Sequence, residues 1–331
     1  MFGFLVQLQK SWFSFQRRSV QHRSPVRLSF ERLEDRRVLS GLASLADNPH
    51  NLSVMSQNLY LGADLGSVLV AAQSGDPLTI AGAVGELWED VHTRDFPARA
   101  ETFADQIAEQ EPDLIGLQEV SQFIAGNIYY PDETEIPGTA ETIDYLDILL
   151  DKLEDRGLNY TTVATTDQFN GPFTALLDRA TFAFQDIQFT DRDVILARSD
   201  LPAPAMMVSN AQGGNFVTNV SFDLGGNEIP ILRGWNSVDV QVWGQDVRVI
   251  NAHLEIDNPV VPAFGLVPLA QATALVGPCG PTDTEIPVIM VGDFNSPADG
   301  SGTATYDILV GAGFTDAWSQ TNPGDPGYTW S

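Results

Sequence analysis

The run Pro287–Pro297, PVIMVGDFNSP, most narrows what this chain can fold into. Four apolar residues, Val288 to Val291, are bounded by Pro and Gly. That pattern fits a strand covered on both faces, so the fold needs layers on either side of it. The strand runs into a tight polar turn, Gly292-Asp293-Phe294-Asn295. Side chains at i and i+2 of an extended segment point the same way, so Asp293 and Asn295 are expected to converge on one ligand. A carboxylate beside a carboxamide suits a metal-organised water or a phosphoryl oxygen. A Gly-Asp-x-Asn turn also closes many ordinary strands, so the stretch alone does not decide between the two.

Other segments repeat the arrangement. Leu52–Asn58 alternates into a strand ending in Ser56-Gln57-Asn58. Asp113–Val120 is a second buried strand, ending on Gln118-Glu119, and Val249–Ala252 leads to His253. The periodicity predicts helices over Phe96–Gln110, with Pro97 in the first turn, and over Ala140–Arg156, closed by Gly157. Residues 60–95 read as a Gly/Ala-rich segment with helical patches, and 123–140 as a polar loop. Strands are expected within 181–200 and 216–252, with a hairpin at Leu224-Gly225-Gly226-Asn227 and another about Gly244. Short helices are expected at Leu269–Leu275 and Thr303–Ala312. Strands and helices mix without regular alternation, which argues for an α+β sandwich over a doubly wound sheet.

A sandwich whose strands end on one rim would gather Asn58, Glu119, His253, Asp293 and Asn295. That set suits metal-assisted phosphoryl transfer. Glu119 can bind Mg²⁺, which takes few carboxylates plus waters and phosphate oxygens. Asp293 can orient or deprotonate an attacking water. Asn58 and Asn295 can hold metal-bound water or a phosphoryl oxygen, and a protonated His253 can stabilise charge on phosphorus. Singly, each has a bland alternative: a solvated Glu, a structural His, an Asn opening a turn.

Charge limits the partners. Of 17 basic and 44 acidic residues, 8 basic and 3 acidic lie in residues 1–41, leaving a body of 9 basic against 41 acidic. Such a body repels a polyanion, so a small phosphoester or lipid head group is favoured over long nucleic acid. A nuclease would need a local basic strip, for which Arg179, Arg192, Arg198, Arg233 and Arg248 are the available residues. With one cysteine, Cys279, no internal disulfide and no cysteine-built metal site can form. No apolar run of about 18 residues is present, so no transmembrane helix is expected. Residues 1–46 read as a basic, disordered leader of export type, with Ser44-Leu45-Ala46 as a small-x-small cleavage site, which implies a secreted or cell-envelope protein. The folded domain is expected over 51–331.

The order of Ser56-Gln57-Asn58-Leu59, Pro112-Asp113-Leu114-Ile115-Gly116-Leu117-Gln118-Glu119-Val120, Asn251-Ala252-His253-Leu254 and Gly292-Asp293-Phe294-Asn295 resembles the endonuclease/exonuclease/phosphatase superfamily, the deoxyribonuclease-I-like fold. Asp193–Arg198 looks like its central strand, and Arg233-Gly234-Trp235 looks like its secreted branch. The resemblance implies a four-layer α/β sandwich of two mixed β-sheets flanked by helices. It also implies a Mg²⁺-dependent phosphoric ester hydrolase, with Mn²⁺ or Ca²⁺ as alternative ions. Carried over, Glu119 is the metal ligand and Asn58 its helper. His253 contacts the scissile phosphate, Asp293 positions the nucleophile and Asn295 binds phosphoryl oxygen. Members of the superfamily continue past the position of Gly327-Tyr328-Thr329-Trp330 with further aspartates and a Ser-Asp-His, which are not in these 331 residues. The domain is therefore expected to lack its last strands and the final Asp-His motif. The alternative from another class is an exported, non-catalytic binding or structural module that keeps the fold.

Overall fold

The computed structural model describes residues 5–7, 51–202, 205–223, 228–256, 262–299, 302–325 and 327. The elements up to the first sheet's end are β1 (Leu5–Gln7), β2 (Val54–Asn58), α1 (Gly66–Ala72), α2 (Pro77–Thr93), α3 (Phe96–Gln110), β3 (Leu114–Gln118), β4 (Gln122–Ala125), β5 (Ile128–Tyr129), β6 (Glu135–Ile136), β7 (Glu141–Asp144), α4 (Tyr145–Glu154), β8 (Tyr160–Asp178) and β9 (Ala183–Arg198). They are followed by β10 (Met206–Asn215), β11 (Val220–Asp223), β12 (Glu228–Ile231), β13 (Gly234–Val242), β14 (Gln245–His253), α5 (Pro262–Val276), β15 (Val288–Asp293), α6 (Thr305–Gly311), β16 (Phe314–Asp316) and α7 (Ala317–Thr321).

Two large mixed sheets result. One runs β2-β3-β9-β4-β7, with β8 along β9 and the β5–β6 pair at its end; the other runs β10-β13-β14-β15-β1-β16. Most pairs are antiparallel, but β2–β3 and β14–β15 are parallel. Three apolar clusters define four layers. The sheets meet through Leu114, Ile195, Ala197, Val238, Val240, Val247, Val249, Ile289 and Val291. Helices α2, α3 and α4 cover the first sheet through Val84, Trp88, Phe96, Ile107, Leu149 and Leu153. Helices α5 and α6 cover the second through Ala272, Leu275 and Leu309. The chain is thus an α+β, four-layer sandwich.

The pleat explains the layering. In β15, Ile289 and Val291 face the other sheet while Val288 and Met290 face helices. Burial on both faces is why the run is continuously apolar. Helix α3 has the expected bounds because Asp95 caps it by accepting from Ala98 N, and Pro112 follows the left-handed Glu111 that ends it.

Several expectations change. The polar loop at 123–140 contains β4, β5 and β6, and the first residues assigned to the second helix form β7. Strand β10 falls in a stretch for which no element was expected. The hairpin at 224–227 is the β11–β12 pair, but its tip lies outside the described residues. Three residues of the leader, Leu5–Gln7, pair antiparallel with both β15 and β16. The rest of that segment, with its cleavage site, lies outside the described residues.

Candidate active site

The sheet–sheet face carries polar groups at one end of each strand, in phase with the apolar ones. Val54 and Asn58 share a face of β2, as do Leu114, Gly116 and Gln118 in β3. In β14, Val247 and Val249 are followed on the same face by Asn251 and His253. In β9, Asp191 and Asp193 precede Ile195 and Ala197, and Asp293 closes the row of β15. Gly116 leaves the room this needs: a Cβ there would lie 2.8 Å from Asn251 Oδ1. Gln118 Nε2 donates to Asn251 Oδ1 at 2.6 Å, and Asn251 Nδ2 donates to Leu117 O at 3.0 Å, stitching the sheets below the site.

Ligand atoms of Glu119, His253 and Asp293 all lie within 4.8 Å of one another. Glu119 follows β3 in a left-handed conformation, φ 55°, which costs a non-glycine residue about 1 kcal/mol or more. Leu61 N donates to its Oε2 at 2.7 Å, and Asn58 Nδ2 to its Oε1 at 2.8 Å. Asn58 Nδ2 also donates to Asp293 Oδ2 at 3.0 Å. Asn58 therefore bridges two carboxylates, while its own oxygen accepts from Tyr60 N at 2.8 Å.

His253 is fully buried. Its Nδ1 lies 3.4 Å from Asp193 Oδ1 and 3.4 Å from Arg233 Nη1, and its Nε2 has no hydrogen-bond partner among protein atoms. Burial and the Arg233 charge push its pKa down, but Asp193 and Asp293 outweigh them and leave it raised. For Asp293, burial pushes the pKa up; the His253 charge and hydrogen bonds from Asn295 N and Asn58 outweigh it, so the carboxyl is held below its usual range.

Asn295 is tied to Asp293 through its backbone: its N–H donates to Asp293 Oδ1 at 3.0 Å. The strand ends at Asp293, so the i, i+2 rule stops applying; Asn295 turns left-handed, φ 45°, and its Nδ2 donates to Leu254 O at 2.9 Å. Gly292 makes that exit feasible: its φ is +143°, and a Cβ would meet Ala252 O at 1.9 Å.

Residues beyond the expected five complete the site. Asp193 is held by Gln168 Nε2 at 2.6 Å, and its carbonyl accepts from Asn236 Nδ2 at 2.7 Å. Arg233 Nε lies 3.6 Å from Glu255 Oε2. Burial, with Glu119 and Asp193, pushes Asp191 up to about 7, and its Oδ1 lacks a partner among protein atoms. Both aspartates sit in DRDVILAR, one residue apart on the face of Ile195; that phase was the available signal.

The residues fit a divalent cation: the carboxylates of Glu119 and Asp293 converge beside the buried imidazole of His253. Four of the five arginines named for a basic strip are paired with carboxylates. Arg192 pairs with Asp144, Arg198 with Glu111 and Asp200, Arg233 with Glu255, Arg248 with Asp239, and Arg179 lies against Gly82 of α2. No helix among the described residues is long and apolar enough to cross a membrane.

No family model matches the chain, and no curated protein matches it. Solved structures do. An endonuclease/exonuclease/phosphatase family protein from Leptotrichia buccalis is 17% identical, with a TM-score of 0.33 over 65% of this chain and 66% of that one. A Bacteroides thetaiotaomicron mannosyl-6-phosphatase is 14% identical, TM-score 0.39, over 78% and 70%. A humanized D. rerio TDP2 is 17% identical, TM-score 0.39, over 82% and 72%. The chain spans just under two thirds of the first structure's length and somewhat more of the other two.

Proposed function

We propose that the chain carries a divalent-cation site for hydrolysis of phosphoric esters. The observation that carries this reading is the convergence of Glu119, His253 and Asp293 within 4.8 Å at the end of the sheet–sheet face. Glu119 and Asp293 would hold the ion. When bound, a cation there neutralises phosphate charge and stabilises a leaving oxygen. His253 acts toward the phosphoryl group. Its Nε2, without a partner among protein atoms, is available to donate to a phosphate oxygen. Asp193 fixes its ring by accepting from Nδ1. Asp293 stays ionised and can accept a proton from an attacking water. Asn295, anchored by one amide N–H on Leu254 O, keeps a second N–H that can serve a phosphoryl oxygen.

Charge and ion pairing support a small or head-group phosphoester over long nucleic acid. The body is acidic, and four of the five arginines named for a basic strip are held by carboxylates. Secretion, proposed from the basic leader, gives such a site access to extracellular cations.

The test is calorimetric titration with Mn²⁺ and Mg²⁺, paired with hydrolysis assays on bis(p-nitrophenyl) phosphate, a sugar phosphate, sphingomyelin vesicles and DNA. Binding should be stoichiometric, and Glu119→Gln should weaken it at least ten-fold. Cation-dependent cleavage should appear on small or head-group esters before DNA. Cation binding that is unchanged by Glu119→Gln would sink the reading.

A further inference from the structure

Glu119 is oriented from outside its own strand. One of its oxygens accepts from the backbone N–H of Leu61, so the position of that N–H sets the carboxylate. The Leu61 backbone belongs to a short irregular crossing after β2. Tyr60 is left-handed there, φ 58°, and Gly62 has φ +93°. A left-handed tyrosine costs about 1–2 kcal/mol and persists only if its surroundings determine it. Irregular backbone also leaves carbonyls without ladder partners.

Arg99 of α3 supplies those partners. Its Nη1 donates to Leu59 O at 2.6 Å and Tyr60 O at 3.1 Å. Its Nη2 donates to Tyr60 O at 3.1 Å and Tyr145 Oη at 3.4 Å, and its Nε to Arg94 O at 3.1 Å. Five bonds match the five N–H groups of a guanidinium, and none goes to a carboxylate. In so acidic a body, an arginine spent on carbonyls marks a geometric role rather than charge pairing. The guanidinium lies 5.0 Å from the Phe96 ring centroid and 5.6 Å from those of Tyr60 and Tyr145.

Tyr145, the first residue of α4, closes the clamp. It is fully buried and stacked on Phe96, with centroids 3.6 Å apart. Its hydroxyl donates to Leu61 O at 2.8 Å. Its backbone N–H donates to Ser121 O at 3.0 Å, and Ser121 N donates to Glu119 O at 2.9 Å. The residue thus grips both the strand turn that points at Glu119 and the turn that carries it. Gly62 is fitted to the pair: a Cβ there would lie 2.9 Å from Tyr145 Oη and 3.4 Å from Arg99 Nη2.

We propose that Arg99, with Tyr145, is a positioning residue for the cation-binding carboxylate, fixing the backbone of residues 59–61 so that the Leu61 N–H holds Glu119. The proposal rests on the cation-site reading above. Lysine cannot replace the arginine, because an ammonium has three donors and no planar fork.

Calorimetric Mn²⁺ titration of the full chain tests this, with thermal melts alongside. Arg99→Lys and Tyr145→Phe should each weaken Mn²⁺ binding about ten-fold, the low end of the effect of losing a partner behind a metal ligand. Tyr145→Phe keeps the Phe96 stack and removes only the hydroxyl, so it reports even if Arg99→Lys folds poorly. The structural control is Arg156→Met. Arg156 binds Glu101 and Asp105 of α3 from the end of α4 and does not touch residues 59–61. It should lower the melting temperature without changing Mn²⁺ affinity. The clamp is overturned if both test variants bind Mn²⁺ within two-fold of the parent, or if Arg156→Met weakens binding equally. Glu119→Gln in the same series separates the two levels. If it alone loses the ion, only the clamp falls; if it keeps the ion, the site reading falls and the clamp with it.

Discussion

Asp191 shows how far a single residue can depart from its ordinary chemistry when its neighbours are carboxylates. Burial, Glu119 and Asp193 push it up to about 7. Its unfolded value is near 3.9. Because the folded pKa is the higher one, its contribution is fully present below about pH 4 and is lost as pH rises through about 7. In EDTA, the parent should therefore lose stability across that window, on the order of 4 kcal/mol. Asp191→Asn should flatten the dependence, which denaturant titrations at several pH values would read; an unchanged slope would discard the assignment. Neither this residue nor Asp193 stood out in the sequence, because alternating aspartates before an apolar run look like a solvated strand start. Asn58 and Asn295 were legible as strand-end residues, but their hydrogen-bond partners were not. Whether an amide faces an ion, a carboxylate or a carbonyl depends on groups 61 and 41 residues away in the chain.

Among elements, β8 was hardest to read and α2 carries the clearest sign test. Asn170-Gly171-Pro172 looks like a turn, yet all three lie in β8, paired with Thr190, Phe189 and Gln188. Proline is tolerated because, among the described residues, β8 pairs with β9 alone and its other edge carries no ladder bonds. By contrast, α3 was readable end to end, since its caps are local in sequence. Helix α2 crosses β8 at Gly85, where a Cβ would lie 2.2 Å from Leu176 O. In an exposed helix, Gly→Ala stabilises by about 1 kcal/mol. Here the helix must move off the strand, so Gly85→Ala should destabilise by roughly 1–3 kcal/mol. Urea unfolding decides the sign. A gain in stability would mean that the close approach of α2 to β8 is not maintained in solution.

At the scale of the whole molecule, the site is a seam between the two sheets. Asn58 and Glu119 belong to the β2–β3 side, His253 and Asp293 to the β14–β15 side. Below them the sheets are joined by the Gln118–Asn251 pair and an apolar interface. At the seam's end, Glu119, Asp293, Asp193 and Glu255 lie around Arg233 and His253, so carboxylates outnumber basic groups just where the layers converge. A cation held there as proposed would tie the sheets together and offset that repulsion. It would bind the folded chain alone, because no local segment of the unfolded chain holds both carboxylates. Linkage then sets the size of the effect: about 2.7 kcal/mol at an ion concentration 100 times the dissociation constant. The melting temperature should climb with Mn²⁺ or Mg²⁺ and fall in EDTA, with both sheets melting in one transition. Sodium chloride at matched ionic strength should give a smaller rise, since screening relieves the general acidity but does not bridge the seam. Glu119→Gln should abolish the divalent increment and keep the sodium response. If sodium chloride matches the divalent ions in the parent, the stabilisation is screening alone and the seam does not hold a specific ion.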